Sequence, residues 1–83
     1  VEEEYFVYVL YSKKLGRTYT GHSNNVRFRL IQHNSGFEIS TKYGVPWDLI
    51  YTETFKTRGA AIKREKELKT GKGRDYIKKI MSR

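Results

Sequence analysis

The sequence predicts an α+β domain: a small, mainly antiparallel, three-stranded sheet flanked by helices in the order β-β-α-β-α-α. Three observations predict it. Two strand-like runs, 5–11 and 17–21, are joined by the polar, Gly-containing segment Lys13-Lys14-Leu15-Gly16-Arg17, the pattern of a hairpin. A third run alternates from Trp47 to Phe55. Segments with helical spacing follow the second and third strands, with no internal repeat, linker or low-complexity stretch. At 83 residues the chain is expected to form one domain, 1–83, with a small core.

The first strand carries Tyr5, Val7, Val9 and Tyr11 on one face and Phe6, Tyr8 and Leu10 on the other. Both faces are apolar, so this strand is expected at the centre of the sheet, covered on both sides. The second strand ends at Gly21. Ser23 and Asn24 then offer an N-cap for a helix reaching Asn34, where Gly36 is suited to a left-handed stop. Residues 36–46 form a polar loop with the only proline, Pro46. It is longer than a typical connection, which hints at a task of its own. In the third strand Trp47, Leu49, Tyr51 and Phe55 are expected on one side. A second helix spans 57–69 and is stopped by Gly71. A third, Asp75 to Ser82, carries Tyr76, Ile77, Ile80 and Met81 on one stripe, with Lys78 and Lys79 outward.

Composition narrows the chemistry. Without cysteine there is neither a disulfide framework nor a thiolate zinc site. The longest apolar run, Tyr5 to Tyr11, is far too short to span a bilayer, and no signal-peptide layout is visible, so a soluble cytoplasmic protein is expected. The acidic run Glu2-Glu3-Glu4 reads as a solvated end. The net charge of +8 is one-sided: residues 1–55 hold six basic and six acidic side chains, whereas 56–83 hold eleven basic and three acidic. Such a field attracts polyanions and points to nucleic acid, although a solvated Lys-rich helical surface has the same composition.

Five side chains stand out. Tyr8 and Tyr19, eleven residues apart, fall on neighbouring strands of the expected hairpin. A phenol can hydrogen-bond a phosphate, position a water or, once deprotonated, act as a base; it is equally at home in a core. Arg29 and His33, four apart, border the inner face marked by Val26 and Leu30. Such a pair can grip a phosphate and move a proton, or can be an ordinary surface Arg with a helix-terminal His. Glu65 falls inside the stripe of Ala61, Ile62 and Leu68. A carboxylate aimed inward is costly unless paired, hydrogen-bonded or bound to a cation. It is either the edge of the stripe or a ligand. His22 follows Gly21 where a ligand could approach backbone amides. Two histidines and no cysteine argue against a closed four-ligand zinc site, whereas a single Glu with waters suits Mg²⁺ or Mn²⁺. No Walker-type loop, G-x-S-x-G or H-E-x-x-H is present.

Taken in order, Phe6-Val7-Tyr8, Tyr19-Thr20-Gly21, Arg29, His33 and Glu65 resemble the GIY-YIG nuclease superfamily, and specifically its short stand-alone bacterial members, regarded as endonucleases. The likeness extends from about Tyr5 to Ile80 and includes Gln32-His33-Asn34-Ser35-Gly36, Val45-Pro46-Trp47 and Lys63-Arg64-Glu65-Lys66-Glu67-Leu68-Lys69. The resemblance implies hydrolysis of a DNA phosphodiester by Tyr8, Tyr19, Arg29, His33 and Glu65. Glu65 would hold one divalent cation, Mg²⁺ or Mn²⁺, Tyr19 would orient or deprotonate the attacking water, and Arg29 would neutralise transition-state charge. A free phenol titrates near ~10, so a base role for Tyr19 requires cationic neighbours or a metal-bound hydroxide to draw its proton off. These five are expected to converge on one cleft. Nucleic-acid contacts are assigned to His22, Arg27, Lys42, Tyr43, Lys63, Lys69 and Lys72.

The sequence departs from the family pattern in three ways. The first motif lacks its glycine, no asparagine follows Asn34, and no separate module remains to choose the DNA. Specificity then falls to Lys42 and Tyr43, to the Lys-rich C-terminal third, to a homodimer or to a protein partner. The competing expectation is a nucleic-acid-binding domain that keeps the fold with little activity.

Overall fold

The computed structural model describes residues 4–82. Glu2 and Glu3 of the acidic run lie outside the described residues, and Glu4 is exposed. Three strands, β1 (Tyr5–Ser12), β2 (Arg17–Ser23) and β3 (Trp47–Phe55), form one sheet in the order β2-β1-β3, antiparallel throughout. Three helices, α1 (Val26–Asn34), α2 (Arg58–Leu68) and α3 (Gly71–Met81), complete an α+β fold of the expected order.

β1 is central because both its faces are apolar. Val7 and Val9 pack with Ala61 and Leu68 of α2 and Ile77 of α3. Tyr8 and Leu10 pack on the opposite face with Trp47, Tyr19, and Val26 and Leu30 of α1. Each fully buried aliphatic side chain contributes roughly 1.5–3 kcal/mol, so this one strand anchors two layers. α2 is further tied to β3 by Arg64, whose Nε donates to both Glu53 carboxylate oxygens at 3.0 and 3.1 Å.

Several local expectations are corrected. β2 continues to Ser23, paired with Phe6, because β1 still offers partners there. The cap of α1 is therefore Asn25, whose Oδ1 accepts the Phe28 N–H at 3.0 Å; Ser23 Oγ instead accepts the Asn25 N–H. Gly36 does take the left-handed conformation, at φ 77°. A bulge in β3 breaks the single-sided pattern expected for it. Val9 faces Tyr51 but Leu10 faces Leu49, leaving Ile50 as the extra residue. Trp47 consequently packs on the α1 face, Tyr51 and Phe55 pack on the α2 face, and Leu49 is exposed.

α3 also begins earlier than its apolar stripe suggested. Thr70 caps it, Oγ1 accepting the Gly73 N–H at 3.3 Å, and Gly71 opens it instead of closing α2. The glycine at 73 is a packing requirement: a Cβ there would lie 2.3 Å from the Glu67 carbonyl oxygen and from Leu68 Cα. The corner between the two helices is that tight, and α3 can fold back only on a residue without a side chain. Of the expected α3 stripe, Ile77 is buried and Ile80 half-buried, while Tyr76 and Met81 are exposed.

Candidate active site

Strand register places Tyr8 opposite Gly21 and Leu10 opposite Tyr19. Side chains two apart share a face, so both phenols lie on the α1 side of the sheet. Their ring centroids are 6.4 Å apart, and the Tyr19 ring stands 4.8 Å from the His33 imidazole. Gly21 makes room for this arrangement. A Cβ at 21 would lie 2.7 Å from the Tyr8 hydroxyl, so the phenol occupies the space a side chain would need.

His33 bridges two buried hydroxyls. Its Nε2 lies 3.1 Å from the Tyr8 hydroxyl. Its Nδ1 lies 2.9 Å from Thr41 Oγ1, with a Glu38 oxygen at 3.6 Å. His33 is completely buried, and burial, aided by the Arg29 charge, pushes its pKa below the ordinary histidine value against the pull of Glu38. The imidazole is neutral at neutral pH. Burial likewise raises the Tyr8 phenol above its usual value, a shift that Arg29 only partly opposes.

Arg29 is held from two sides. Its Nη1 donates to Gln32 Oε1 at 2.7 Å and forms an ion pair with Glu38 Oε1. Desolvation weakens its charge, but Tyr8 and Glu38 outweigh that and hold the guanidinium above its ordinary range. A guanidinium has five N–H donors, so donors remain for a further oxygen ligand.

Glu65 stands elsewhere. His22 is the β2 residue opposite Val7, so it lies on the α2 side of the sheet. Its Nδ1 is 2.7 Å from Glu65 Oε1, and Lys69 Nζ donates to Glu65 Oε2 at 3.0 Å. Burial alone would raise the carboxyl pKa, but the bonds from His22 and Lys69 reverse this and hold it below the usual carboxylate value. The five expected residues thus form two clusters rather than one cleft. Tyr8, Tyr19, Arg29 and His33 meet on one side of β2, and Glu65 meets His22 and Lys69 on the other. Gly21 and His22 are consecutive, so a single edge strand separates the clusters. Tyr19 and Lys69 line one shared cleft at that edge.

The other assigned contacts are dispersed. Of the seven, only His22 and Lys69 reach Glu65. Arg27 is exposed near the start of α1, Lys63 is exposed on α2, and Lys72 is exposed in the first turn of α3. Lys42 and Tyr43 sit on an exposed 3₁₀ turn, Lys42–Gly44, with the ammonium 4.9 Å from the Tyr43 ring centroid. Sequence reasoning missed Gln32, Glu38 and Thr41, which hold Arg29 and His33. It also missed Asn34, whose side chain clamps the Trp47 backbone at 2.6 and 3.0 Å. The length of the 36–46 loop was the available signal for Glu38 and Thr41.

Among the described residues no group of three or more His, Cys, Asp or Glu side chains could hold a metal ion. The donor set at Glu65 is one ionised, half-buried carboxylate with lone pairs still open. That suits a hard cation that keeps most of its waters, not a closed protein cage. No helix among the described residues is long and apolar enough to cross a membrane.

The fold and these side chains define an α+β domain whose edge strand has paired tyrosines, Arg29 and a buried His33 on one side and a charged Glu65 on the other. A family model described as the GIY-YIG catalytic domain matches residues 4–79, and the chain belongs to that family. Within it, the chain is similar to UPF0213 proteins. One from Staphylococcus epidermidis is 38% identical over 79 residues, 94% of this chain and 95% of the relative. One from Staphylococcus saprophyticus is 35% identical over the same span. The solution NMR structure of a UPF0213 protein from Bacillus halodurans matches with a TM-score of 0.56 and 28% identity, covering 93% of this chain and 84% of that one. The resemblance read from the motifs therefore holds for both family and fold.

Proposed function

We propose that this protein, as one GIY-YIG unit, is a divalent-metal-dependent endonuclease that hydrolyses DNA phosphodiesters at the β2 edge, in the cytoplasm. The observation that carries this reading is the pairing of two clusters across one strand. A fixed guanidinium with two phenols stands on one side, and a carboxylate held ionised stands on the other. A phosphodiester laid against the edge at Gly21 would meet Tyr19 and Arg29 together with the Glu65 side.

In this reading Glu65 would hold Mg²⁺ or Mn²⁺, which when bound supplies positive charge to the phosphate oxygens. Tyr19, half-buried and beside the cleft, orients the attacking water. The water oxygen bonds to phosphorus and loses a proton to solvent, the bond to the departing sugar oxygen breaks, and that oxygen takes up a proton from solvent. Arg29 offers its remaining N–H groups to the charge that builds on the phosphate oxygens. Tyr8 stays protonated, because burial raises its pKa, and its hydroxyl is held by His33. His33 is thus a positioning residue.

A second reading, a nucleic-acid-binding domain with little activity, draws on one observation. Both Glu65 oxygens are already engaged, and the Lys69 ammonium supplies the positive charge a cation would bring. Incubation with supercoiled plasmid and with nicked, branched and single-stranded oligonucleotides, in Mg²⁺, Mn²⁺ or EDTA, separates the two. We expect metal-dependent cleavage that falls by a factor of about 10² or more in Glu65→Gln and Tyr19→Phe while binding persists. Wild-type protein that binds but cuts none of these substrates with either metal would establish the binding-domain reading.

A further inference from the structure

Two clefts along the β2 edge join into a single groove. The first, about 260 Å³, starts beside Tyr19 and Lys69. The second, about 680 Å³, continues past Arg17 and Lys78 to Met81. Thr18, Arg74 and Ile77 line both. The groove therefore leads from the candidate site toward the β1–β2 turn, with α3 as its opposite wall.

Its charge has one sign. Arg17, Arg74 and Lys78 are exposed, and none of the three forms an ion pair or side-chain hydrogen bond among the described residues. Arg29, Arg64 and Lys69, by contrast, are each bound to a carboxylate. Among the described residues no acidic side chain lines either cleft, and Asp75, the one carboxylate of α3, is outside both. Arg74 and Lys78 are one helical turn apart, about 6 Å along the axis, a step comparable to that between neighbouring phosphates of one strand. Tyr11, Ile77 and Met81 add apolar surface for sugars or bases.

We infer that this groove carries the backbone of the DNA strand on one side of the cleaved bond, with Arg17, Arg74 and Lys78 as phosphate-positioning residues. The inference rests on the nuclease reading for its direction, since the groove opens at Tyr19. Unpaired cations in one groove, two of them a helical turn apart, continuous with a phosphodiester site, match a polymer of repeating negative charge that passes through that site. An acidic peptide or an anionic membrane would gain nothing from that continuity.

The test is binding of a fluorescein-labelled DNA oligonucleotide, single-stranded and duplex, followed by anisotropy in EDTA across a salt series. Arg17→Ala/Arg74→Ala/Lys78→Ala is compared with Lys56→Ala/Lys66→Ala, which removes exposed charge outside the groove. Arg74→Gln/Lys78→Gln, with a thermal melt for every variant, guards against misfolding. The groove triple is expected to bind about tenfold or more weakly near 0.1 M salt and to flatten the salt dependence by roughly 0.7–0.9 per lost phosphate contact. The control is expected to keep the wild-type slope. Equal losses in groove and control variants, an unchanged slope in the triple, or equal competition by polyglutamate or anionic vesicles would overturn the inference. The two readings fail separately. Cleavage with groove-independent binding removes the groove and leaves the nuclease; groove-dependent binding without cleavage does the reverse.

Discussion

The two sides of strand β2 are built on opposite principles. On the α1 side, Tyr8, His33 and Thr41 are buried and joined by hydrogen bonds, and His33 is neutral. On the α2 side, Glu65, His22 and Lys69 are partly open to solvent, and Glu65 is kept charged. A buried network that is fully satisfied is rigid, because losing any member strands the others. A half-exposed ionised carboxylate can exchange its partners for water or a cation at little cost. In the proposed reading, the difference would separate orientation, by Tyr8 and His33, from charge exchange, by Glu65.

The comparison breaks most directly in a pair of variants. His33→Ala strands the Tyr8 and Thr41 hydroxyls and opens a cavity, so urea unfolding should show a loss of about 3 kcal/mol. Glu65→Gln should lose cleavage while its unfolding midpoint stays near that of wild type. Comparable unfolding losses in both would show that the two sides do not differ as described. Gly21→Ala probes the join between them. The new Cβ must displace a Tyr8 hydroxyl held by His33, and overpacking of this kind costs about 1–3 kcal/mol. A Gly21→Ala protein as stable as wild type would mean that Tyr8 is not pinned.

The smallest effect is on pH dependence. The folded His33 pKa is lowered, so on acidification the unfolded chain takes up a proton that the native state refuses. This contribution to stability is complete above about pH 6.5 and is lost as pH falls from there toward the depressed native pKa. Glu65, also lowered, adds a further loss in the carboxylate range. Melting temperatures from about pH 7.5 to about pH 5 should decline in wild type and decline less in His33→Gln. Equal declines would indicate that His33 is not the group responsible.

Much of this was legible in the chain. The two apolar faces of 5–11 placed β1 at the centre, and the offsets among Tyr8, Tyr19, Arg29, His33 and Glu65 pointed to the family. The bulge at Ile50 was not legible, because strict alternation carries no mark of an extra residue. The early start of α3 was hidden by glycines that read as a stop but serve a tight corner. Glu38 and Thr41 are ordinary loop residues until α1 brings His33 and Arg29 against them.

The sequence by itself determined the elements, the central strand and the identities of the candidate side chains, since these follow from periodicity and from residue chemistry at fixed spacing. Only the tertiary structure decided which side of β2 each residue occupies, which cations are left unpaired, and that Arg17, Arg74 and Lys78 share a groove. The physical reason is that face, partner and exposure depend on strand register and helix docking. These join residues far apart in the chain, and no local pattern encodes them.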